Sequence, residues 1–257
     1  MRQFVAFSKK EFVESVATFR LYILLVVFLF LGIMGPLMAV LTPALLEMLA
    51  ADETAGIIII MPDPTYVDAW REFFSGFALM GMLAIAVMFS GLMANELSRG
   101  TLVNLLTKGL KRHTVILAKF FSASTLWTAA IVLAVGVSYM YTAFYFDTEP
   151  IPHFLLVFGA PWLFGMFMIA LSVFGGTLFG SFYGSLSVCI GVFFVLIFAG
   201  NVPAINRFSP ASLASGTLGI IMRTAEAVDF VPAIIVCAVS IVVLIVGAIW
   251  VFNRKTV

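Results

Sequence analysis

Long apolar runs separated by short polar stretches organise this chain. Six are long enough to cross a bilayer, at about 21–41, 71–94, 120–146, 154–179, 184–200 and 230–252, since about 20 apolar residues in a helix span roughly 30 Å of hydrocarbon. The fifth is short and stops at Asn201-Val202-Pro203. Ahead of the first run, residues 2–20 carry a helical period. Val5, Phe12, Val16 and Phe19 fall on one stripe, with Lys10, Glu11, Glu14 and Thr18 largely opposite. That pattern predicts an amphipathic helix lying in the membrane interface; the plainer alternative is an extension of the first span.

The stretches between runs carry their own signals. In 42–70, Pro62 and Pro64 break regular structure. The run Ile57–Met61 is too short to span, and Tyr66 and Trp70 stand where belt aromatics belong. A packed cap is preferred there over a binding site. Gly176, Gly180 and Gly184 recur every four residues, a spacing that lets a neighbouring helix approach one face closely. Packing within the chain, a subunit interface and a hinge are all compatible with it. The turn between the fourth and fifth runs falls near 180–185. Residues 201–229 are too polar for a span and too apolar for a free loop, which predicts short re-entrant helices sheltered by protein. Ser209-Pro210 reads as an N-cap followed by a first-turn proline.

Composition agrees with a membrane protein. The 257 residues are 63% hydrophobic and 11% charged, with 27 Phe and a mean hydropathy of +1.15; soluble domains carry about 25% charge. A net charge of +1, with no basic tract, gives no reason to expect nucleic acid. Cys189 and Cys237 lie inside apolar runs and read as small buried hydrophobes. Residues 1–20 hold Arg2, Lys9, Lys10, Glu11, Glu14 and Arg20 and do not read as a cleavable signal.

Charge also predicts orientation. With a cytoplasmic N-terminus, Arg2, Lys9, Lys10, Arg20, Arg99, Lys108, Lys111, Arg112, Lys119, Arg254 and Lys255 lie inside, and only Arg71, Arg207 and Arg223 lie outside. Among the acids, only Glu11, Glu14 and Glu96 lie inside. This bias predicts a multi-pass protein of the cell membrane with both termini cytoplasmic.

Several chemistries are disfavoured. The span interiors hold almost no ionisable groups, which argues against a proton- or sodium-coupled carrier and against a channel with a charged ring. No G-x-x-x-x-G-K-[ST] motif occurs, so no P-loop binds ATP here. His113 and His153 are isolated on opposite predicted sides, which leaves no metal pair. No nucleophile–base arrangement assembles on one side, so no catalytic residue is assigned.

The stretch NELSRGTLVNLLTKGLKRHTVILAKF, residues 95–120, stands apart. Leu97, Leu102, Leu105 and Leu106 supply apolar positions, Arg99, Lys108, Lys111 and Arg112 supply charge, and Gly109 interrupts the helix. A basic loop held by anionic lipid would satisfy the orientation rule alone. About seven helical turns' worth of chain is long for that purpose, and a short helix below the membrane suits a groove on a partner.

This stretch resembles the signature of ABC-2 type transporter permeases. An acidic residue (Glu96) is followed by Gly100-Thr101-Leu102, then Leu105-Leu106, a basic segment, and Lys119 before the next span. Many family members carry Pro at or beside Gly109. The resemblance extends over essentially the whole chain. It implies an all-α, six-span permease domain over 1–257, with an N-terminal amphipathic elbow helix (1–20), a cytoplasmic coupling segment (95–119) and re-entrant helices between spans five and six (201–229). It implies two cytoplasmic ATPase subunits that bind ATP and Mg, a second permease copy or paralogue, and surrounding lipid as partners. Coupling then falls to Glu96, Arg99, Gly100, Thr101, Leu102, Leu105, Leu106, Lys108, Lys111 and Arg112. A pathway between two permeases, lined by spans one, two and five, would lie near Phe28, Met34, Phe193, Phe194 and Phe198, a lining suited to an amphipathic cargo. Packing explains those side chains equally well. Export is the favoured function; a non-transporting, ATPase-coupled scaffold or sensor in signalling, immunity or assembly is the alternative.

Overall fold

A computed structural model describes residues 2–52, 63–98, 100, 102, 107 and 109–255. No strand occurs among the described residues, and six helices are long and apolar enough to cross a membrane. The run Ile57–Met61 lies outside the described residues.

The chain opens with α1 (Arg2–Ala17) and turns at Phe19 (φ 58°) into α2 (Arg20–Asp52). A bulky residue at positive φ is a strained break, so α1 is a separate helix and not an extension of the first span. Its Val5, Phe12 and Phe19 are exposed while Phe7, Glu11 and Ser15 are buried. These three apolar residues of the stripe therefore face outward. Glu11, expected opposite that stripe, is turned into the protein and not toward water.

The first span is longer than its hydropathy run, because α2 continues through Pro36 and Pro43 to Asp52. The second crossing is built from α3 (Tyr66–Gly76), a π-turn at Phe77–Gly81 and α4 (Met82–Ser98). Asp68 receives the Thr65 amide at 2.9 Å and fixes the start of α3. Trp70 departs from the belt position expected of it. It is 1% exposed, with its ring 5.6 Å from Phe73 and 5.0 Å from Phe158. In lipid, neighbouring helices and acyl chains are equally apolar, so an aromatic near a span end packs inward where a partner ring is available.

Next come α5 (Arg112–Tyr145), α6 (Phe154–Phe179) and α7 (Phe182–Gly200). Helix α6 is central and packs against α4, α5, α7 and α11 (Val231–Arg254). Its apolar window is 61% buried, against 17% for α7 and for the last span. A Cβ at Gly165 would lie 2.3 Å from the Trp127 ring, so glycine there lets α5 seat its indole. The Trp127 indole N–H then donates to the Trp162 carbonyl at 2.9 Å. Helix α7 buries Ser185, Cys189 and Phe193 against the rest. The Ser185 hydroxyl donates to the Ser172 carbonyl at 2.8 Å, polar adhesion suited to apolar surroundings.

The three glycines do not share one helix face. Gly176 lies in α6 against Met93 and Ala94, Gly180 ends that helix in the left-handed region (φ 65°), and Gly184 opens α7 against Phe179. The turn divides the repeat. Tight packing inside the chain accounts for Gly176 and Gly184.

Between α7 and α11 run three one-turn helices, α8 (Pro203–Asn206), α9 (Ser212–Ser215) and α10 (Leu218–Ile221), then a 3-10 turn at Ala227–Phe230. Leu213, Thr217 and Ile221 are buried, and the Thr217 hydroxyl donates to the Val157 carbonyl at 3.1 Å. Ser209 is not the helix cap expected from sequence. Its hydroxyl accepts from Ala211 N inside a preceding turn, and the helix starts at Ser212.

Candidate functional site

The start of α1, the end of α11 and the ends of the connection between α4 and α5 meet at one end of the bundle. Helix α4 stops where Gly100 enters the left-handed region (φ 66°), its amide 3.3 Å from the Leu97 carbonyl. At the far side of the connection Gly109 has φ 87°. Lys111 is then extended, and its carbonyl accepts from Thr114 N as α5 begins. Gln3 of α1 donates to the Gly109 carbonyl at 3.3 Å. The connection is thus bounded by two left-handed glycines and tied to α1.

The structure places the expected coupling residues unevenly. Leu102 is fully buried and Lys111 is exposed. Arg112 reaches back across the bundle to the carbonyls of Phe252, Asn253 and Lys255, where it caps the final turn of α11. Arg99, Thr101, Leu105, Leu106 and Lys108 lie outside the described residues.

Glu96 belongs to a charged cluster that sequence reading did not foresee. Lys119 Nζ lies 2.9 Å from Glu11 Oε2 and 3.0 Å from Glu96 Oε2. Lys10 Nζ lies 3.0 Å from Glu11 Oε1 and 2.7 Å from Glu14 Oε2, and it also reaches Glu96 Oε1. Lys119 is 2% exposed, Glu11 3% and Glu96 7%. The Phe7 ring lies 5.2 Å from Lys10 Nζ and 5.8 Å from Lys119 Nζ, within cation–π reach. Burial alone would lower the Lys10 pKa, but the Glu14, Glu96 and Glu11 carboxylates outweigh it and hold the ammonium above its ordinary value. The Glu11, Glu14 and Glu96 carboxylates lie close together, and each of them pairs with at least one of the two ammonium groups. The available signal was Lys119 itself, a cation two turns inside a helix, which requires an anion at the same depth.

The pathway residues divide. Phe28 is fully buried, its ring 5.2 Å from Trp127 and 6.2 Å from Phe77. Phe193 is 2% exposed and lies 6.3 Å from Phe164. Met34 is half-buried. Phe194 and Phe198 are 44% and 70% exposed on the outer face of α7. At the bundle end away from the termini, a cavity of about 640 Å³ lies beside α7, lined by residues including Ile197, Asn201, Arg207, Ser212, Asp229 and Phe230.

Comparison with known proteins accords with this geometry. Residues 5–257 match the model of the ABC-2 family transporter protein. The chain belongs to the ABC-2 transporter family. It is also 21% identical over 255 residues to an uncharacterized transmembrane protein, YxlG, of Bacillus subtilis (strain 168), a match covering 99% of this chain and 98% of the relative. As an ABC-2 protein the chain is a multi-pass membrane subunit with a permease role in transport. Membrane subunits of the ABC-2 family do not bind nucleotide and generally work with ATP-binding partners. Glu96 and Lys119, from the two ends of the 95–120 stretch, pair at 3.0 Å.

Proposed function

We propose that this chain is the permease subunit of an ATP-driven exporter in the cell membrane, with both termini and the 95–119 segment in the cytoplasm. Two ATPase subunits, holding ATP and Mg, would dock beneath a pair of permeases, identical or paralogous. Each would grip one segment around 97–108. Nucleotide-driven closure would then displace α4 and α5 and open a route between the permeases.

The observation that carries this reading is the connection between α4 and α5. It is bounded by left-handed turns at Gly100 and Gly109, keeps Leu102 buried, is held to α1 through Gln3, and has exposed Lys111 beside it. A short segment fixed at both ends transmits displacement, whereas a slack loop absorbs it. The exposed Phe194 and Phe198 on α7 support an amphipathic cargo, such as a peptide, drug or lipid-like molecule, meeting an uncharged surface.

The test is ATP hydrolysis by the ATP-binding subunit that co-purifies with the chain, measured in vesicles with wild type and with Lys108→Glu/Lys111→Glu. The expected result is a several-fold loss of permease-stimulated hydrolysis with unchanged membrane insertion; unaltered stimulation would reject the coupling role. Hydrolysis without movement of labelled amphipathic peptides or lipids would favour an ATPase-coupled scaffold or sensor.

A further inference from the structure

We infer that Lys119 is a positioning residue for the coupling segment, which with Glu11 and Glu96 locks α1, the end of α4 and the start of α5 into one mechanical unit. The inference rests on the proposed coupling to an ATP-binding partner, and adds that α1 moves with the two spans.

Three observations carry it. The first is connectivity. Lys119 holds carboxylates from two other helices at 2.9 and 3.0 Å, and Lys10 joins the same two carboxylates from the exposed side. The second is location. Glu96 stands four residues before Gly100, about 6 Å along the helix, and Lys119 stands seven residues into α5, about 10 Å. The cluster therefore lies within about two turns of the end of α4 and of the start of α5, the helices that carry the segment. The third is energetic. Burying an ammonium and two carboxylates is a costly way to hold helices together, and apolar side chains of similar volume commonly do as well or better. Apolar contact is also non-directional and permits sliding. Charge-assisted bonds fix distance and angle.

Helix α1 has reason to need such a joint. Its outer face is apolar and exposed at Val5, Phe12 and Val13, so lipid resists its displacement along the membrane normal. The Glu14, Glu96 and Glu11 carboxylates hold the Lys10 ammonium above its ordinary value, which favours its charged form at the exposed side of the joint.

The experiment compares Lys119→Met, Lys119→Arg and the double variant Lys119→Met/Glu11→Gln, each as the full chain with its co-purifying ATP-binding subunit. Lys119→Met removes the buried ammonium between Glu11 and Glu96 and leaves them only Lys10 on the exposed side, and is expected to lower thermal stability. The double variant removes one charge of each sign and is expected to recover stability while stimulated ATP hydrolysis stays several-fold reduced. Lys119→Arg is expected to retain most stimulation. Spin labels at Val13 and Leu117, both exposed, should keep one distance with and without ATP in wild type and separate or broaden in the double variant. Recovery of stimulation along with stability, or unchanged label distances, would overturn the inference. Absence of stimulation in wild type would instead defeat the underlying coupling reading.

Discussion

Arg112 donates to the Lys255 carbonyl at 2.7 Å, so the first residue of α5 closes the last turn of α11. The same guanidinium nitrogen serves Asn253 at 3.2 Å and also Phe252, and the guanidinium lies over the Phe252 ring at 5.4 Å. A cation at a helix C-terminus satisfies orphan carbonyls and opposes the helix dipole.

Arg112→Met is therefore expected to destabilise the folded chain by about 1–3 kcal/mol, the scale of hydrogen bonds to a charged group. The loss should appear as a lowered thermal midpoint and as faster amide exchange over 250–255. Lys111→Met, one residue away and exposed, should leave both unchanged while weakening ATPase stimulation.

Orientation can be read with thiol labels, because Cys189 and Cys237 are both buried and give little background. In Lys111→Cys, a membrane-impermeant maleimide should react only after cells are opened. In Glu149→Cys it should react on intact cells. Glu149 pairs with Arg223 at 3.0 Å, but both are well exposed, so its replacement should disturb the fold little. Labelling of position 111 from outside would remove any contact between the coupling segment and a cytoplasmic motor.

Phe28 and Phe198 should behave oppositely. Phe28→Ala empties a site between Trp127 and Phe77 and should destabilise by about 3–5 kcal/mol. Phe198, 70% exposed, should tolerate alanine with an unchanged thermal midpoint. An effect of Phe198→Ala on transport in the reconstituted complex would then report on cargo or subunit contact and not on folding.

Gly100→Ala and Gly109→Ala isolate backbone conformation, since an added Cβ meets nothing within 4 Å at either position. Holding alanine in the left-handed region costs about 1–2 kcal/mol. The expected outcome is faster proteolysis between residues 96 and 112, with unchanged helix content by circular dichroism. Equal protection in variant and wild type would show that the two turns do not constrain the segment.

Much of this protein is written locally in its sequence. Hydropathy marks the six spans because crossing lipid is a demand on each segment separately, and the stripe of Val5, Phe12 and Phe19 announces α1 for the same reason. Gly109 announces the end of the connection because few other residues take its φ. What tertiary structure alone decided is which faces meet. Glu11 and Lys119 are 108 residues apart, and Arg112 finds carbonyls 140 to 143 residues away; no local period encodes either pairing. Trp70 turned inward, and the glycine repeat divided across a turn, because in a bilayer lipid and protein are equally apolar. Side-chain shape and the few charges that need partners then determine how the helices pack.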